Sequence, residues 1–267
     1  MEYERDTIQR YHVRTPHSVQ GTRLTDSYIE EDIDFASRRA ANRQHELAMF
    51  TGYKFEELST LTKTWDESTR QEIESRTKNI VDNFQQYCSI VKTQLGSSTI
   101  VMGGEVDCLW GPRPLSIKLI IDYKPDPPEN PVPHYVELKT SKELTNPRSV
   151  ATFEQHKLLK FWAQSFLLGV PKIVVGFRSD RNTLGSLQTL ETMQIPARVR
   201  ERGTQMWDGN LCINFTAKFL EFLRETVVEE GSVYSIKFVK GGRQIDVVKQ
   251  DGGKSFLTDE YVSWKSK

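Results

Sequence analysis

The sequence predicts an α/β (α+β) protein, with a mixed, bent β-sheet core and helices on its outside. Segments of β-sheet composition alternate along the chain with segments of helical periodicity. The length of 267 residues is enough to bury a sizeable core without disulfides or a structural metal. We therefore expect one domain over residues 1–267, and two smaller domains are the alternative.

The charge balance is neutral overall but uneven along the chain. The sequence holds 36 Lys and Arg residues against 36 Asp and Glu residues. Residues 1–110 hold 13 basic and 18 acidic residues, whereas residues 151–200 hold seven basic and three acidic residues. Overall neutrality argues against non-specific binding along nucleic acid, but it permits a local basic surface that faces an acidic, metal-binding surface.

Cysteine usage and hydropathy exclude several other classes of protein. Cys88, Cys108 and Cys212 are odd in number and far apart, which argues against a secreted disulfide framework and against a paired-cysteine zinc site. The longest apolar stretch, residues 166–177, is interrupted and shorter than the roughly 18 residues of a membrane span. Residues 1–20 lack an apolar core, so we expect neither a secretory signal nor a transit peptide.

Two helices are predicted in the first third of the chain. Residues 30–62 carry apolar side chains at three- and four-residue spacing without proline, and Gly52 weakens or bends this helix. Residues 67–83 predict a polar surface helix that begins at Asp66 or Ser68 as its N-cap.

From residue 87 the composition favours β-structure. Residues 87–93 and 99–110 predict a hairpin around a turn at residues 96–98. Prolines make residues 111–133 a loop, apart from the apolar piece at residues 115–123.

The second half of the chain predicts alternating strands and helices. Its helices are expected at residues 153–168, ended by Gly169-Val170-Pro171, and at 211–228. Its strands are expected at residues 134–140, 173–177, 184–191, 233–239 and 244–249, the last two as a hairpin.

Charged residues alternate within two of the predicted strands. Glu105 and Asp107 project from one face of a strand while Val106 packs into the core, and Glu137 and Lys139 repeat this spacing on another strand. If the strands are neighbours, three acids and a lysine converge. Converging carboxylates repel unless a cation lies between them, and their hard oxygens suit Mg²⁺ or Mn²⁺. This favours phosphodiester or phosphoanhydride hydrolysis, with Lys139 orienting water or offsetting developing charge.

An acidic strand followed by Glu-x-Lys resembles the signature of the PD-(D/E)xK nuclease superfamily. Charged residues alternating on an exposed strand give the same string without chemistry, which is the alternative explanation. Here apolar residues flank both strings, and two strings occur.

Five sequence blocks resemble the DXO family of RNA 5′-end decapping nucleases, most closely its fungal nuclear branch, which associates with the nuclear 5′-to-3′ exoribonuclease. The blocks are residues 52–56 (GYKFE), 86–91 (QYCSIV), 104–108 (GEVDC), 135–140 (YVELKT) and 157–167 (KLLKFWAQSFL). The resemblance covers about residues 45 to 190 and implies a PD-(D/E)xK-like core.

The resemblance also implies roles for individual residues. The implied ligands of Mg²⁺ or Mn²⁺ are Glu56, Asp107, Glu137 and the main-chain carbonyl of Leu138, with Glu105 acting largely through water. Lys139 and Gln164 match residues near the scissile phosphate, and Cys88 matches a substrate-contacting position. The implied catalytic set is Glu105, Asp107, Glu137 and Lys139, and the implied substrate-binding set is Cys88, Glu105, Lys139 and Gln164.

The implied activity is hydrolysis at the 5′ end of incompletely capped RNA. The products would be pyrophosphate from a triphosphate end or a cap dinucleotide from an unmethylated cap, and some relatives remove nicotinamide-dinucleotide caps or degrade RNA exonucleolytically. The implied location is the nucleus, with the cytosol as the alternative, and the implied partner is the exoribonuclease, with the chain as a monomer or heterodimer. The alternatives are a non-catalytic subunit that stabilises the exoribonuclease and a PD-(D/E)xK nuclease acting on DNA.

Several of these residues have simpler structural explanations. Glu56 can be a solvated helix glutamate, Gln164 can satisfy a buried backbone group, and Cys88 can be a small core residue. Trp65 stands in a polar run, which suggests a partner contact with the exoribonuclease or packing onto the domain. Four arginines can line an RNA path or serve as surface charge: Arg178, Arg181, Arg198 and Arg200.

One element of the family pattern has no counterpart in this chain. Family members carry an upstream arginine in a Trp/Phe-Arg-Gly setting that helps hold the RNA 5′ end, and residues 1–50 do not reproduce it. Arg38, Arg39 and Arg43 lie on the first predicted helix instead. We therefore expect either that an N-terminal portion is missing or that one wall of the substrate pocket has been lost.

Overall fold

The computed structural model describes residues 10–12, 35–62, 65–81, 87–110, 131–202, 206–239, 241, 243–250 and 257–265. The predicted apolar piece at 115–123 lies outside these residues. The chain divides into two compact units, the first of residues 1–93 and 101–208 and the second of residues 94–100 and 209–267. The expectation of one domain stays a prediction. Within the described ranges, no helix is both long and apolar enough to cross a membrane.

A four-stranded mixed sheet forms the centre of the first unit. Its strands are β4 (Cys108–Leu109), β5 (Tyr135–Lys142), β6 (Lys172–Arg178) and β7 (Leu184–Glu191), in the order β4-β5-β6-β7. Strands β5 and β6 are parallel, and the outer pairs are antiparallel. Buried β6 is a nearly continuous apolar run, as expected for a strand covered on both faces. The prediction of a mixed α/β fold is confirmed.

A second sheet lies earlier in the chain and is formed by β1 (Arg10–His12), β2 (Cys88–Leu95) and β3 (Ser98–Glu105). The predicted strand over residues 99–110 is wrong in its extent, because β3 ends at Glu105. Val106 then leaves the strand, with its backbone N–H donating to the Tyr87 carbonyl at 3.0 Å and its side chain buried. Asp107 therefore lies between β3 and β4, not on one continuous strand with Glu105.

Helix α1 (Phe35–Ser59) confirms the first predicted helix, whereas the second is much shorter than predicted. Helix α2 (Arg70–Ser75) lies between the 3₁₀ turns Trp65–Glu67 and Arg76–Lys78. Its N-cap is Thr69 rather than Asp66 or Ser68, because Thr69 and Glu72 form a reciprocal capping box.

The C-terminal half of α1 is held against the sheet and against the segment around α2. Phe55 is buried in a cluster with Val136, Leu138 and Val174. A Cβ added at Gly176 would lie 2.7 Å from Phe55 Cε2, so the missing side chain allows this close approach. Lys54 Nζ donates to the carbonyl of Asn79 at 2.8 Å. These interactions fix the position of the residue that follows Phe55.

The predicted helix at residues 153–168 is part of a longer helical segment. Helix α3 (Pro147–Thr152) continues through a π-helical turn (Phe153–Leu158) into α4 (Leu159–Leu168). The segment begins earlier than predicted because Asn146 Oδ1 accepts from the backbone N–H of Ser149 at 2.9 Å. It ends as predicted at Gly169, which adopts a left-handed conformation with φ 75°.

The core of the first unit joins the two sheets and the end of α4. It is a cluster of Val91, Val106, Val132, Tyr135, Leu168 and Val170. The buried hydroxyl of Tyr135 lies 3.2 Å from Ser89 Oγ, so its polar end is satisfied. A short helix that the sequence did not predict, α5 (Ile195–Glu201), follows β7.

The second unit contains the predicted C-terminal helix and hairpin and one further helix, at Asp259–Lys265, that the sequence did not predict. It contains α6 (Gly209–Thr226), the antiparallel pair β8 (Tyr234–Phe238) and β9 (Ile245–Lys249), and α7 (Asp259–Lys265). The predicted helix at 211–228 and the predicted C-terminal hairpin are confirmed.

Candidate functional site

A pocket of about 280 Å³ in the first unit collects most of the predicted site residues. Helix α1, the end of β3, the segment before β4, strand β5 and helix α4 each contribute to it. Its predicted lining residues are Glu56, Glu105, Asp107, Glu137, Lys139 and Gln164. We call this pocket the acidic site.

Strand β5 supplies the most buried carboxylate. Glu137 is 1% exposed, and one of its oxygens forms an ion pair with Nζ of Lys139. The two residues are two positions apart and therefore share one face of β5, as predicted. The second oxygen, Oε2, is buried without a hydrogen-bond partner among the described residues. A buried carboxylate oxygen without a donor is costly, so this atom is available to a ligand.

Asp107 is fixed by the backbone of β5. The N–H of Leu138 donates to Asp107 Oδ2 at 2.6 Å, while the Leu138 side chain is buried in the core. This bond holds the short segment between β3 and β4 beside the Glu137–Lys139 pair. Metal ligation by the Leu138 carbonyl stays a prediction.

Helix α1 contributes Glu56 and a face of residues that the prediction of site residues missed. Met49, Gly52, Tyr53 and Glu56 are spaced at three and four residues, so they share one face of the helix, and all four line the acidic site. This spacing is visible in the sequence once Glu56 is taken as the reference. The solvated-helix explanation for Glu56 does not fit its partly buried position.

Glu105 and Gln164 lie where β3 approaches α4. A Cβ added at Gly104 would lie 2.9 Å from Cγ of Leu168, so glycine allows this close approach. Glu105 follows directly and is the most exposed of the four carboxylate residues. Gln164 is exposed on α4 and lines the site, so it does not satisfy a buried backbone group.

Burial raises the pKa values of all four carboxylates, and neighbouring carboxylates add to this at Glu56, Glu105 and Glu137. Burial, followed by the charges of Asp107 and Glu105, raises the pKa of Glu56 to about 7. Burial and the charge of Asp107 raise the pKa of Glu105 and of Glu137, and burial raises the pKa of Asp107 against the opposing Leu138 hydrogen bond. The negative charge of the four acids is therefore incompletely neutralised by neighbouring cations.

Lys139 is the cation within this acidic region. Burial opposes its charge, but Glu137 beside it prevails, and the pKa of Lys139 is raised above its usual range. Lys139 is therefore a fixed positive charge at neutral pH and not a proton acceptor. The nearby thiol of Cys108 is kept protonated, because burial and the charge of Asp107 raise its pKa to about 12.

The donor set fits a hard divalent cation. Across the described part of the chain, no three His, Cys, Asp or Glu side chains are grouped closely enough to hold a metal ion as they stand. The acidic site nevertheless offers four carboxylates with hard oxygen donors, among them the unpartnered Glu137 Oε2, and no His or Cys side chain of the described residues lines it. Such donors suit Mg²⁺ or Mn²⁺ and not a soft metal. Glu56, Glu105, Asp107 and Glu137 are the side chains that can hold it.

Three other groups of predicted residues lie away from the acidic site. Cys88 is not among its lining residues, and the Cys88 Sγ packs close to Gly103 on β3. Trp65 is 64% exposed in its 3₁₀ turn. Arg178, Arg181, Arg198 and Arg200 do not line the acidic site, and Arg178 Nη1 donates to Asn182 Oδ1 at 2.6 Å. An RNA path along these arginines stays a prediction.

A larger cavity, of about 1180 Å³, lies in the same unit and borders Asp107. Its lining is mostly apolar and includes Leu58, Trp65, Leu109 and Leu187. It lacks Glu56, Glu105, Glu137 and Lys139. The smaller pocket is therefore the candidate for chemistry, because it holds the converging charges.

The chain is similar to fungal decapping nucleases over most of its length. It is 47% identical to the decapping nuclease RAI1 of Emericella nidulans over 223 residues, which are 83% of this chain and 58% of the relative. It is 41% identical to the Neurospora crassa protein of the same name over 249 residues, which are 90% of this chain and 57% of the relative. The chain thus spans less than two thirds of the length of these relatives.

Solved structures show the same similarity. Scheffersomyces stipitis Rai1 matches with a TM-score of 0.70 at 29% identity, covering 86% of this chain and 63% of that one. Candida albicans Rai1 in complex with pU5-Mn²⁺ matches with a TM-score of 0.68 at 28% identity, and the match covers 86% of this chain and 65% of that one. The family model described as RAI1 like PD-(D/E)XK nuclease matches residues 9–262. The chain therefore belongs to the RAI1-like family of PD-(D/E)XK nucleases.

Proposed function

We propose that this protein is a metal-dependent hydrolase that acts on the 5′ end of RNA. The observation that carries the proposal is the acidic site, where four carboxylates surround one lysine and Glu137 Oε2 has no partner among the described residues. The proposed reactions are release of pyrophosphate from 5′-triphosphate RNA and removal of incomplete caps from mRNA, as 5′-end quality control. The complex of the Candida albicans relative with pU5-Mn²⁺ supports both the RNA substrate and the divalent cation.

The carboxylates and the lysine of the acidic site have different proposed roles. Glu56, Asp107 and Glu137 would hold Mg²⁺ or Mn²⁺, with Glu105 at the more exposed side. The chemistry that such a cation would supply is neutralisation of charge on the phosphate and a lower pKa for an attacking water. Lys139 stays protonated beside Glu137, so it stabilises negative charge that develops on the reacting phosphate. The Gln164 amide can donate a hydrogen bond to a phosphate oxygen and orient the 5′ end.

The test compares matched pairs of carboxylate substitutions on 5′-triphosphate RNA with Mn²⁺. The wild-type protein should release pyrophosphate, and the Glu105→Ala, Asp107→Ala double variant should lose at least about a hundredfold in rate, the scale of removing one electrostatic stabiliser. The control double variant, Glu74→Ala with Glu229→Ala, removes two carboxylates from exposed ion pairs. The proposal would be refuted if the wild-type protein released no pyrophosphate, or if the control variant lost as much rate as the Glu105→Ala, Asp107→Ala variant. Single-stranded DNA in parallel tests the DNA-nuclease alternative.

We further propose that the protein acts in the nucleus with a 5′-to-3′ exoribonuclease and contacts it through Trp65. The exposed tryptophan supports this, since aromatic anchors dominate many protein interfaces. If the Glu105→Ala, Asp107→Ala double variant stimulates the exoribonuclease as strongly as the wild-type protein does, this stimulation does not depend on catalysis at the acidic site.

A further inference from the structure

Three exposed polar side chains form a stripe on the helical segment that carries Gln164. Lys160 and Gln164 are exposed and four residues apart, so they share one face of α4, and exposed Lys157 precedes Lys160 by three residues near the end of the π-helical turn. Gln164 lines the acidic site, and the two lysines follow towards the N-terminal end of the segment. The stripe therefore leads from the acidic site outward.

A hydrogen bond to β5 places Lys157 independently of the helix. Its Nζ donates to Oγ of Ser141 at 3.1 Å, and Ser141 is 3% exposed. Residues 137, 139 and 141 alternate with the other face of β5, so Ser141 continues the row of Glu137 and Lys139. A step of two residues along a strand covers about 6.6 Å. The Lys157 ammonium thus lies one such step beyond the row of charged residues at the acidic site.

The charge of Lys157 lacks an acidic partner. Among the described residues, no carboxylate forms an ion pair with it, whereas neighbouring Lys142 is paired with Asp180 at 2.7 Å. Burial, followed by the charges of Arg178 and Lys142, lowers the pKa of Lys157. Although the residue as a whole is exposed, its ammonium is partly desolvated among cations. An anion beside the Lys157 ammonium would offset both its loss of hydration and its repulsion by the neighbouring cations.

We propose that Lys157 and Lys160 bind backbone phosphates of the RNA strand downstream of the 5′ end held at the acidic site. The proposal rests on the proposed function, since it assigns the path by which the rest of the substrate leaves that site. Lysine binds phosphate as a point charge and reads no base. The stripe therefore favours longer RNA over mononucleotides, without a preference for sequence.

The test is the dependence of binding on RNA length and salt concentration. Isothermal titration calorimetry with Ca²⁺ compares 5′-monophosphorylated RNAs of one and five nucleotides. The Lys157→Gln, Lys160→Gln double variant should raise the Kd of the longer RNA about tenfold and leave that of the mononucleotide within about twofold. The slope of log Kobs against log salt should become shallower by about 1.4, or about 0.7 for each phosphate that a lysine no longer neutralises.

The control removes two lysines of equal charge elsewhere. Lys218→Gln with Lys249→Gln changes exposed lysines of the second unit and should leave both length dependence and salt slope unchanged. An unchanged slope in the Lys157, Lys160 variant, or an equal loss in the control, overturns the proposal. Hydrolysis of 5′-triphosphate RNA by each variant is measured in parallel. Absence of wild-type hydrolysis refutes the proposed function, whereas normal hydrolysis with an unchanged slope refutes the lysine path alone.

Discussion

The backbone N–H of Leu138 donates a hydrogen bond of 2.6 Å to the Asp107 carboxylate. This bond connects the segment after β3 to strand β5 across 31 residues of sequence, next to the pairing of Cys108 with Val136. It brings the carboxylate of Asp107 beside Glu137 and Lys139, which the strand alternation of β5 already places together. The geometry of the acidic site therefore depends on a backbone donor as well as on its charged side chains.

Replacing Asp107 should separate this positioning role from its charge. Both Asp107→Ala and Asp107→Asn remove a charge that burial disfavours, but only Asp107→Ala leaves the Leu138 N–H without an acceptor, so it should be about 1–3 kcal/mol less stable than Asp107→Asn. Urea denaturation measures both. Equal unfolding free energies in the two variants would contradict the positioning role of the bond.

Divalent cations should stabilise the wild-type protein through the acidic site. At a free Mn²⁺ concentration of about a hundred times Kd, the expected gain in unfolding free energy is about 2.7 kcal/mol. Asp107→Asn, which removes a carboxylate charge, should greatly reduce this gain. Thermal unfolding with and without Mn²⁺ measures it, and Glu74→Gln at an exposed ion pair is the control. A full Mn²⁺ shift in Asp107→Asn would count against the site.

The Glu137–Lys139 pair should show strong coupling. Lys139→Met leaves Glu137 buried without its cation, and breaking such a pair costs about 3–5 kcal/mol, less here because the lysine is partly exposed. Adding Glu137→Gln removes the unpaired charge and should restore part of that stability. A double-mutant cycle by urea denaturation measures the coupling. Additive effects of the two substitutions would contradict a coupled pair.

Gly104→Ala should disturb the site without removing any charged group. The added methyl group meets the Leu168 side chain, and overpacking of this kind costs about 1–3 kcal/mol. Because Glu105 is the next residue, the rate of RNA hydrolysis should fall as well. Gly52→Ala is the control for stability alone, because a Cβ at Gly52 meets nothing within 4 Å whereas Gly52 itself lines the acidic site. A fully stable Gly104→Ala variant would show that Leu168 moves aside freely.

Trp65→Ala should weaken association with an exoribonuclease while leaving the fold intact. The side chain is 64% exposed, so its removal creates no buried cavity. Co-purification with the partner measures the effect, and Trp264→Ala, another highly exposed tryptophan, is the control. Co-purification that is unchanged in Trp65→Ala would remove Trp65 from the interface.

The prediction of secondary structure succeeded where local chemistry is sufficient. Strand β7 was predicted with its observed bounds, and the helix end at Gly169 follows from the left-handed conformation that glycine adopts readily. The prediction of the polar helix near residue 70 is too long at both ends, because the Thr69–Glu72 capping box fixes a later start and a 3₁₀ turn at Arg76–Lys78 follows its last residue, Ser75. The break in the predicted strand at Val106 was also missed, since an apolar residue between two acids fits strand alternation equally well.

The sequence by itself determined the alternation of Glu137 and Lys139 on one strand face, the mixed α/β composition and the blocks that mark the family. These are local properties, fixed by the two-residue period of a strand and by the order of residues. The family resemblance implied that Glu56, Asp107 and Gln164 join that pair, but only the tertiary structure brings them there, because their helices and loops are placed by long-range packing such as Phe55 against Gly176. The outward path through Lys157 likewise depends on its bond to Ser141, an interaction between segments that sequence periodicity cannot specify.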